Sequence, residues 1–175
     1  MNIKTRFLTA LIYPFGDVVA QLILGELSLW RFLSLCFLAF AFYIWEIPKW
    51  FNMLDSVKTE KSNLITKLFL TKDFRLNWLG RTFGAIAYFN PLWIARHMFF
   101  ISLSKVSCFC LFGFVGLISS SLVLGVKSFL ANLPISIIGN YIIQVKLKSE
   151  YRFLGSVLLS SFMAICYALA YKFLR

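Results

Sequence analysis

Gly16-Asp17-Val18-Val19-Ala20-Gln21 and Gly139-Asn140-Tyr141-Ile142-Ile143-Gln144 each set an acid or amide four residues ahead of a glutamine inside apolar sequence. Positions four apart share a helical face, so Asp17 stacks on Gln21 and Asn140 on Gln144. Polar groups in hydrocarbon are costly and face a bundle interior or a water-filled cavity. Gly16 and Gly139 let a neighbouring helix come close beside each pair. Two chemistries fit this pattern. The motifs line a narrow polar passage, or they make interhelical hydrogen bonds that only hold a bundle together. An ionised carboxylate is an expensive structural peg, and Asp17 tilts the choice to the passage.

Four further charges are candidate partners. Glu46 has Lys49 three residues on, which suits a local ion pair. Arg81 can snorkel to an interface or pair with Asp17 across the bundle. Arg31 and Arg152 each stand at the start of a span, where a head-group contact explains them. His97, the sole histidine, cannot anchor a metal site alone and is expected at a span end. Cys36, Cys108, Cys110 and Cys166 lie in apolar runs and read as small hydrophobes, since Cys108 and Cys110 lack the two-residue spacing of zinc or redox pairs. The chain holds no nucleophile elbow, phosphate loop or His-Glu-x-x-His, and one histidine with few acids leaves little acid–base equipment. No enzyme activity, cofactor or metal is expected.

The elements that carry these residues follow from composition. Of 175 residues 60% are apolar and 14% charged, against about 45–50% and about 25% in soluble proteins, and mean hydropathy is +0.80. One small core cannot hold that much apolar surface. The surplus faces lipid, which excludes a cytosolic enzyme, a disordered binding module and a disulfide-stapled secreted domain. The net charge of +11 would suggest nucleic acid in a soluble domain. Here the cations form short clusters between apolar runs, Lys58, Lys61, Lys67, Lys72 and Arg75 in one and Lys146, Lys148 and Arg152 in another. Such clusters are helix-end anchors for anionic lipid, not for nucleic acid.

Candidate crossings are Phe7–Leu24, Phe32–Leu54, Leu76–Ala95, Val106–Leu124, Phe129–Val145 and Phe153–Phe173. The first and fifth carry polar residues and the Ser119-Ser120-Ser121 run weakens the fourth, so four to six cross. The basic start Met1–Arg6 precedes an uncleaved first span, because no small-x-small site ends the apolar run. With six crossings, the basic bias puts the N-terminus, the 55–75 segment and Lys172 inside, and Lys146, Lys148 and Arg152 outside. Between Asp55 and Arg75, Val57, Leu64, Ile65, Leu68 and Phe69 share one face, as in a short interfacial helix. Trp30, Trp45, Trp50, Trp78 and Trp93 cluster towards span ends, as interfacial anchors without a ligand role.

The two motifs belong to a longer self-similarity. Phe7-Leu8 and Leu11 match Phe129-Leu130 and Leu133, and Trp30-Arg31-Phe32-Leu33-Ser34 matches Tyr151-Arg152-Phe153-Leu154-Gly155. The expected fold is an all-α integral membrane protein, a bundle of four to six transmembrane helices with an internal duplication. It forms a single domain, 1–175, with copies at about 7–54 and 129–173 joined by 55–128. Six crossings make the copies parallel; if Val106–Leu124 does not cross, they are inverted.

Phe7–Asp55 resembles the start of the Mpv-seventeen/peroxisomal-membrane-protein family. Its Gly-Asp-x-x-x-Gln matches Gly16, Asp17 and Gln21, its following Arg matches Arg31, and its Trp-Tyr-x-x-Leu-Asp ending is similar to Trp50-Phe51-Asn52-Met53-Leu54-Asp55. The tail is similar through Leu133-Pro134, Asn140-Tyr141 and Arg152, without the family's Trp before the Pro. The middle, Ser56–Leu124, aligns loosely through Gly84, Asn90-Pro91 and Arg96-His97. The resemblance implies a mitochondrial or other organellar inner membrane and weakly selective passage of small solutes. A bacterial inner membrane is the other reading of the sequence. The expected function is a membrane channel or pore for small polar solutes or metabolites, lined by Asp17, Gln21, Asn140 and Gln144. The alternative is a non-conducting structural or assembly protein whose polar motifs grip partner helices. Expected partners are the lipid bilayer, the solute and a second copy of the chain.

Overall fold

The computed structural model describes residues 3–58, 64–104 and 111–173. Among these the chain is an all-α bundle without strands. Four helical stretches are long and apolar enough to cross a membrane: Ile3–Leu24, Leu29–Ser56, Phe114–Ala131 and Ser149–Ala170. A further rod from Trp78 to Leu103 carries Arg81 and Arg96 and packs among them.

The prolines divide these rods. α1 (Ile3–Ala10) yields to α2 (Ile12–Leu24) just before Pro14. α3 (Leu29–Leu38) passes through a π turn, Ala39–Tyr43, into α4 (Ile44–Ser56), which holds Pro48. After the short α5 (Leu64–Phe69), α6 (Trp78–Gly84) passes through a second π turn, Ala85–Phe89, into α7 (Asn90–Leu103), with Pro91 in its first turn. α8 (Leu111–Ala131) yields to α9 (Leu133–Tyr141) at Asn132, just before Pro134. Proline lacks an N–H and its ring clashes with the carbonyl four residues back. The ladder therefore breaks or widens one turn ahead of each proline. A third π turn, Ile142–Lys146, ends the α9 rod before α10 (Ser149–Phe173).

Contacts fix the directions of the rods. α10 runs parallel to α2, since Ser161 bonds the Ile12 carbonyl at 2.9 Å and Lys172 meets Glu26 at 2.7 Å. α3–α4 returns antiparallel to α2, with Phe40 on Phe7 and Arg31 on Asp17. α6–α7 is antiparallel to α3–α4, through Phe100 on Phe37 and Phe89 on Trp50. α8 descends along α7, with Gly125 at Ala95 and Phe114 on Phe99. α9 continues that descent, bringing Tyr141 to Trp78.

These directions change the expected order of crossings. Val106–Leu124 and Phe129–Val145, predicted as separate spans, belong to one rod kinked at Asn132, because one residue is too short to reverse a helix. Two consequences follow. Ile3 and Phe173 lie at opposite ends of the bundle, and Lys146, Lys148 and Arg152 join Lys4, Arg6, Lys58 and Arg75 at one end, while Lys172 sits at the other. The motif helices α2 and α9 consequently run in opposite directions. Of the 55–75 segment, the described residues form the short helix α5, with antiparallel bridges between Lys58 and Arg75 and between Leu70 and Leu76. Lys61, Cys108 and Cys110 lie outside the described residues. Cys36 and Cys166 are half-buried free thiols.

Candidate functional site

The first motif is a closed network. Its entry turn is set by Gly25, whose φ of 65° ends α2 in the left-handed region where a Cβ is penalised. Ser28 then caps α3, its hydroxyl accepting from the Arg31 amide at 3.3 Å. This short hairpin folds Arg31 back onto α2. Its guanidinium grips Asp17 with two prongs, Nη2 on Oδ1 and Nε on Oδ2 at 2.8 Å. Gln21 Nε2 donates to Asp17 Oδ2 at 2.8 Å, and Gln21 Oε1 accepts from the Ser28 amide at 2.7 Å. Asp17 is 0% exposed and Arg31 3% exposed, so the pair neutralises its charge out of water. His97, also fully buried, bonds Tyr13 through Nδ1 and turns Nε2 towards Asp17 Oδ1, at 3.8 Å.

Several expected partnerships differ here. Arg31 meets Asp17 rather than a lipid head group, because the hairpin is short enough to aim it inward. Arg81 pairs with Asp55 at 2.6 Å, at the far end of α4 from Asp17. Arg152 reaches the same carboxylate at 3.2 Å and the Leu147 carbonyl at 3.4 Å. Glu46 pairs with Arg96 of α7 in place of Lys49, since antiparallel packing brings those helices together. His97 sits in the core instead of at a span end, between the rings of Tyr13 and Tyr167. Among the described residues no group of three metal-ligating side chains occurs.

The second motif is open where the first is closed. Asn140 Nδ2 donates within its own helix, to the Ser136 carbonyl at 2.9 Å, and Gln144 Oε1 is buried without a partner. Both face a cavity of about 30 Å³ shared with Trp50, Phe89, Asn90, Trp93, Ser136, Ser156, Leu159, Ser160, Met163 and Tyr167. On the volume a buried water needs, about 10–15 Å³, it has room for two or three. The indole N–H of Trp50 is likewise buried and unpartnered, whereas that of Trp93 lies towards the Tyr13 hydroxyl.

Neighbouring contacts hold this cavity in shape. Tyr43 bonds Ser160 at 2.7 Å and Ser156 at 3.2 Å, and stands edge-on to Trp93 with ring centres 4.7 Å apart. Phe89 stacks between Trp50 and Trp93. The three π turns deliver Tyr43, Phe89 and Gln144, one residue each, to this region. Both motif glycines press on one stretch of α10. A Cβ on Gly16 would overlap the Ser161 carbonyl, and a Cβ on Gly139 would lie 2.6 Å from the Leu159 side chain.

Trp50 and Trp93 are the functional candidates that sequence reading assigned to the interface. Their signal was present in Pro48 and Pro91, each within two residues of a tryptophan, which mark breaks deep in the rods. Trp30, Trp45 and Trp78 are the exposed ones. No protein-family model, curated protein or solved structure matches this chain.

Proposed function

We propose that the protein is a membrane channel or pore that passes small polar solutes through the cavity between α4, α7, α9 and α10. The carrying observation is that polar cavity, lined by Asn90, Ser136, Asn140, Gln144, Ser156 and Ser160, with buried unpartnered groups on its lining residues Trp50 and Gln144, inside a bundle whose outer face is apolar. A protein interior pairs its buried polar groups, and leaving them free costs stability. A group that recurrently meets a passing solute is the economical account of that cost. The resemblance to the Mpv-seventeen/peroxisomal-membrane-protein family supports passage and an organellar inner membrane. The gathering of Lys4, Arg6, Lys58, Arg75, Lys146 and Lys148 at one end supports a reading in which that end faces inside.

In this reading Asp17 and Gln21 brace the bundle, and Asn140 and Gln144 meet the solute. Solute flux into liposomes holding the purified protein tests it, with the Asn140→Leu, Gln144→Leu double variant as control. Flux above empty liposomes that the variant abolishes is the expected result. A folded protein without flux overturns the proposal in favour of the second reading, a non-conducting structural membrane protein. The closed Asp17–Arg31–Gln21 network favours that second reading, since it spends its polar groups on the fold.

A further inference from the structure

We infer that the groove between α4, α5 and α6 holds one anionic phospholipid, with an acyl chain along its apolar floor and the phosphate on Lys58 and Arg75. The site does not depend on the polar cavity and stands whether or not that cavity passes a solute. It also goes beyond the general anchoring of basic clusters, since it holds a single lipid at one place.

The groove is apolar throughout. Leu54 and Val57 at the end of α4, Phe69 of α5, and Leu76, Phe83 and Gly84 at α6 are among its walls. Its volume is about 470 Å³, within the roughly 300–1,000 Å³ of small-molecule sites. Met53, Phe83 and Tyr88, which also line it, are exposed, so it opens sideways to the hydrocarbon. Gly84 keeps the floor low, because a Cβ there would meet nothing closer than 3.6 Å.

A short two-chain ribbon closes the end of this groove. Lys58 and Arg75 stand opposite each other across an antiparallel bridge, which sets their side chains on one side of the ribbon with Cβ atoms roughly 4.5–5.5 Å apart. Like charges so placed repel. Both residues are exposed, and among the described residues neither side chain forms an ion pair. Asp55 is held by Arg81 and Arg152, while Lys67 and Lys72 add exposed charge alongside, against Asp73. Val57 and Leu76, one step along each chain, turn to the other side and line the groove. The ribbon thus carries apolar side chains towards hydrocarbon and opposed cations towards the head-group layer.

A phospholipid joins its own parts in that order. A phosphate between Lys58 and Arg75 replaces their repulsion with charge-assisted hydrogen bonds, while its acyl chain covers the open groove. A free phosphate would leave the groove bare, and a plain hydrocarbon would leave the cations opposed. A zwitterionic lipid brings its own cation, which competes with these two for the phosphate. Basic pockets between helices at the inner face bind anionic head groups on the same terms.

Native mass spectrometry of the delipidated protein in detergent counts the lipids bound to each chain and is the test. Phosphatidylglycerol is expected to add as one molecule at a concentration roughly thirtyfold below that of phosphatidylcholine with the same chains, about fivefold for each cation. Lys58→Gln, Arg75→Gln is expected to bring the two lipids level. Lys146→Gln, Lys148→Gln removes equal charge from the same end of the bundle and is expected to leave the preference intact. Gly84→Leu, which fills the groove, is expected to weaken both lipids without lowering the unfolding temperature. Met53→Trp fills it from the exposed side and replaces Gly84→Leu where that variant fails to fold. Glycerol 3-phosphate at the lipid's concentration is expected to displace nothing.

Equal binding of the two lipids by the unaltered protein overturns the inference, as does a preference that survives Lys58→Gln, Arg75→Gln. A preference lost equally with Lys146→Gln, Lys148→Gln overturns it too, leaving only diffuse attraction to a basic surface. Full binding with the groove filled, or displacement by glycerol 3-phosphate, would leave the groove without a part in holding the lipid and would sink the site.

Discussion

The two copies of Gly-[Asp/Asn]-x-x-x-Gln sit on helices that run in opposite directions against the same stretch of α10, and they end in opposite states. In the first, both carboxylate oxygens of Asp17 and both ends of Gln21 are bonded. In the second, Asn140 spends its amide on its own helix and Gln144 leaves its oxygen free. A single residue difference, acid against amide, accounts for much of this. A buried acid demands a cation, and Arg31 folds back to supply one. An amide makes no such demand, so Arg152 is released to Asp55 at the bundle end. The lesson is that one motif can be a rivet in one place and a lining in another, according to whether its charge must be cancelled.

The sharpest break of this comparison is Arg31→Leu. It leaves the Asp17 carboxyl buried without its arginine partner, and such losses cost roughly 3–5 kcal/mol. The expected result is a large fall in the thermal unfolding temperature in detergent, with much of the protein misfolded. The Asp17→Leu, Arg31→Leu double variant removes both charges and is expected to recover most of that loss. Recovery of less than half would mean that the pair does more than cancel itself.

Gly16→Ala comes next. Its Cβ meets backbone, the Ser161 carbonyl, which can move only if α2 and α10 separate. Overpacking of this kind costs about 1–3 kcal/mol. Gly139→Ala meets the tip of the Leu159 side chain, which can change rotamer, so its cost is expected to be the smaller of the two. Equal losses, measured as unfolding free energies under one condition, would contradict the closer seat assigned to the first copy.

The third comparison turns on sign. Gln21→Leu strips a donor from Asp17 and orphans the Ser28 amide, at about 1–3 kcal/mol. Gln144→Leu removes an acceptor that has no partner, and is expected to leave stability unchanged or raised while abolishing flux. Destabilisation by Gln144→Leu as large as that by Gln21→Leu would show that the second motif, too, is a brace.

Much of this architecture was legible in the residues. Apolar runs and sparse charge gave an all-α membrane bundle, and the spacing of Asp17, Gln21, Asn140 and Gln144 marked side chains that turn inward. What escaped was pairing across helices. Arg31 and Glu46 each had a nearer explanation along the chain, while their partners depend on a tight hairpin and on antiparallel packing, which local spacing does not encode. The order of crossings escaped for a related reason. Asn132 and Pro134 read equally as a kink or as a turn between two helices, and only the contacts of Gly125 with Ala95 and Tyr141 with Trp78 decide it.

The smallest expected effect completes the comparison. Arg152 occupies the place in the second copy that Arg31 holds in the first, yet it pairs with an Asp55 carboxylate that is 41% exposed and also bonded to Arg81. Solvent screens such a pair, and a second arginine remains when one is lost. Arg152→Leu is therefore expected to cost less than about 1 kcal/mol, and its effect should shrink further in high salt. Arg31→Leu, with its partner out of reach of water, should keep its cost whatever the salt. The ratio of the two losses across a salt series measures how differently the fold treats matching positions. A salt-insensitive loss at Arg152 would place that arginine in a buried network like its counterpart's, and the division into a braced copy and an open one would fall.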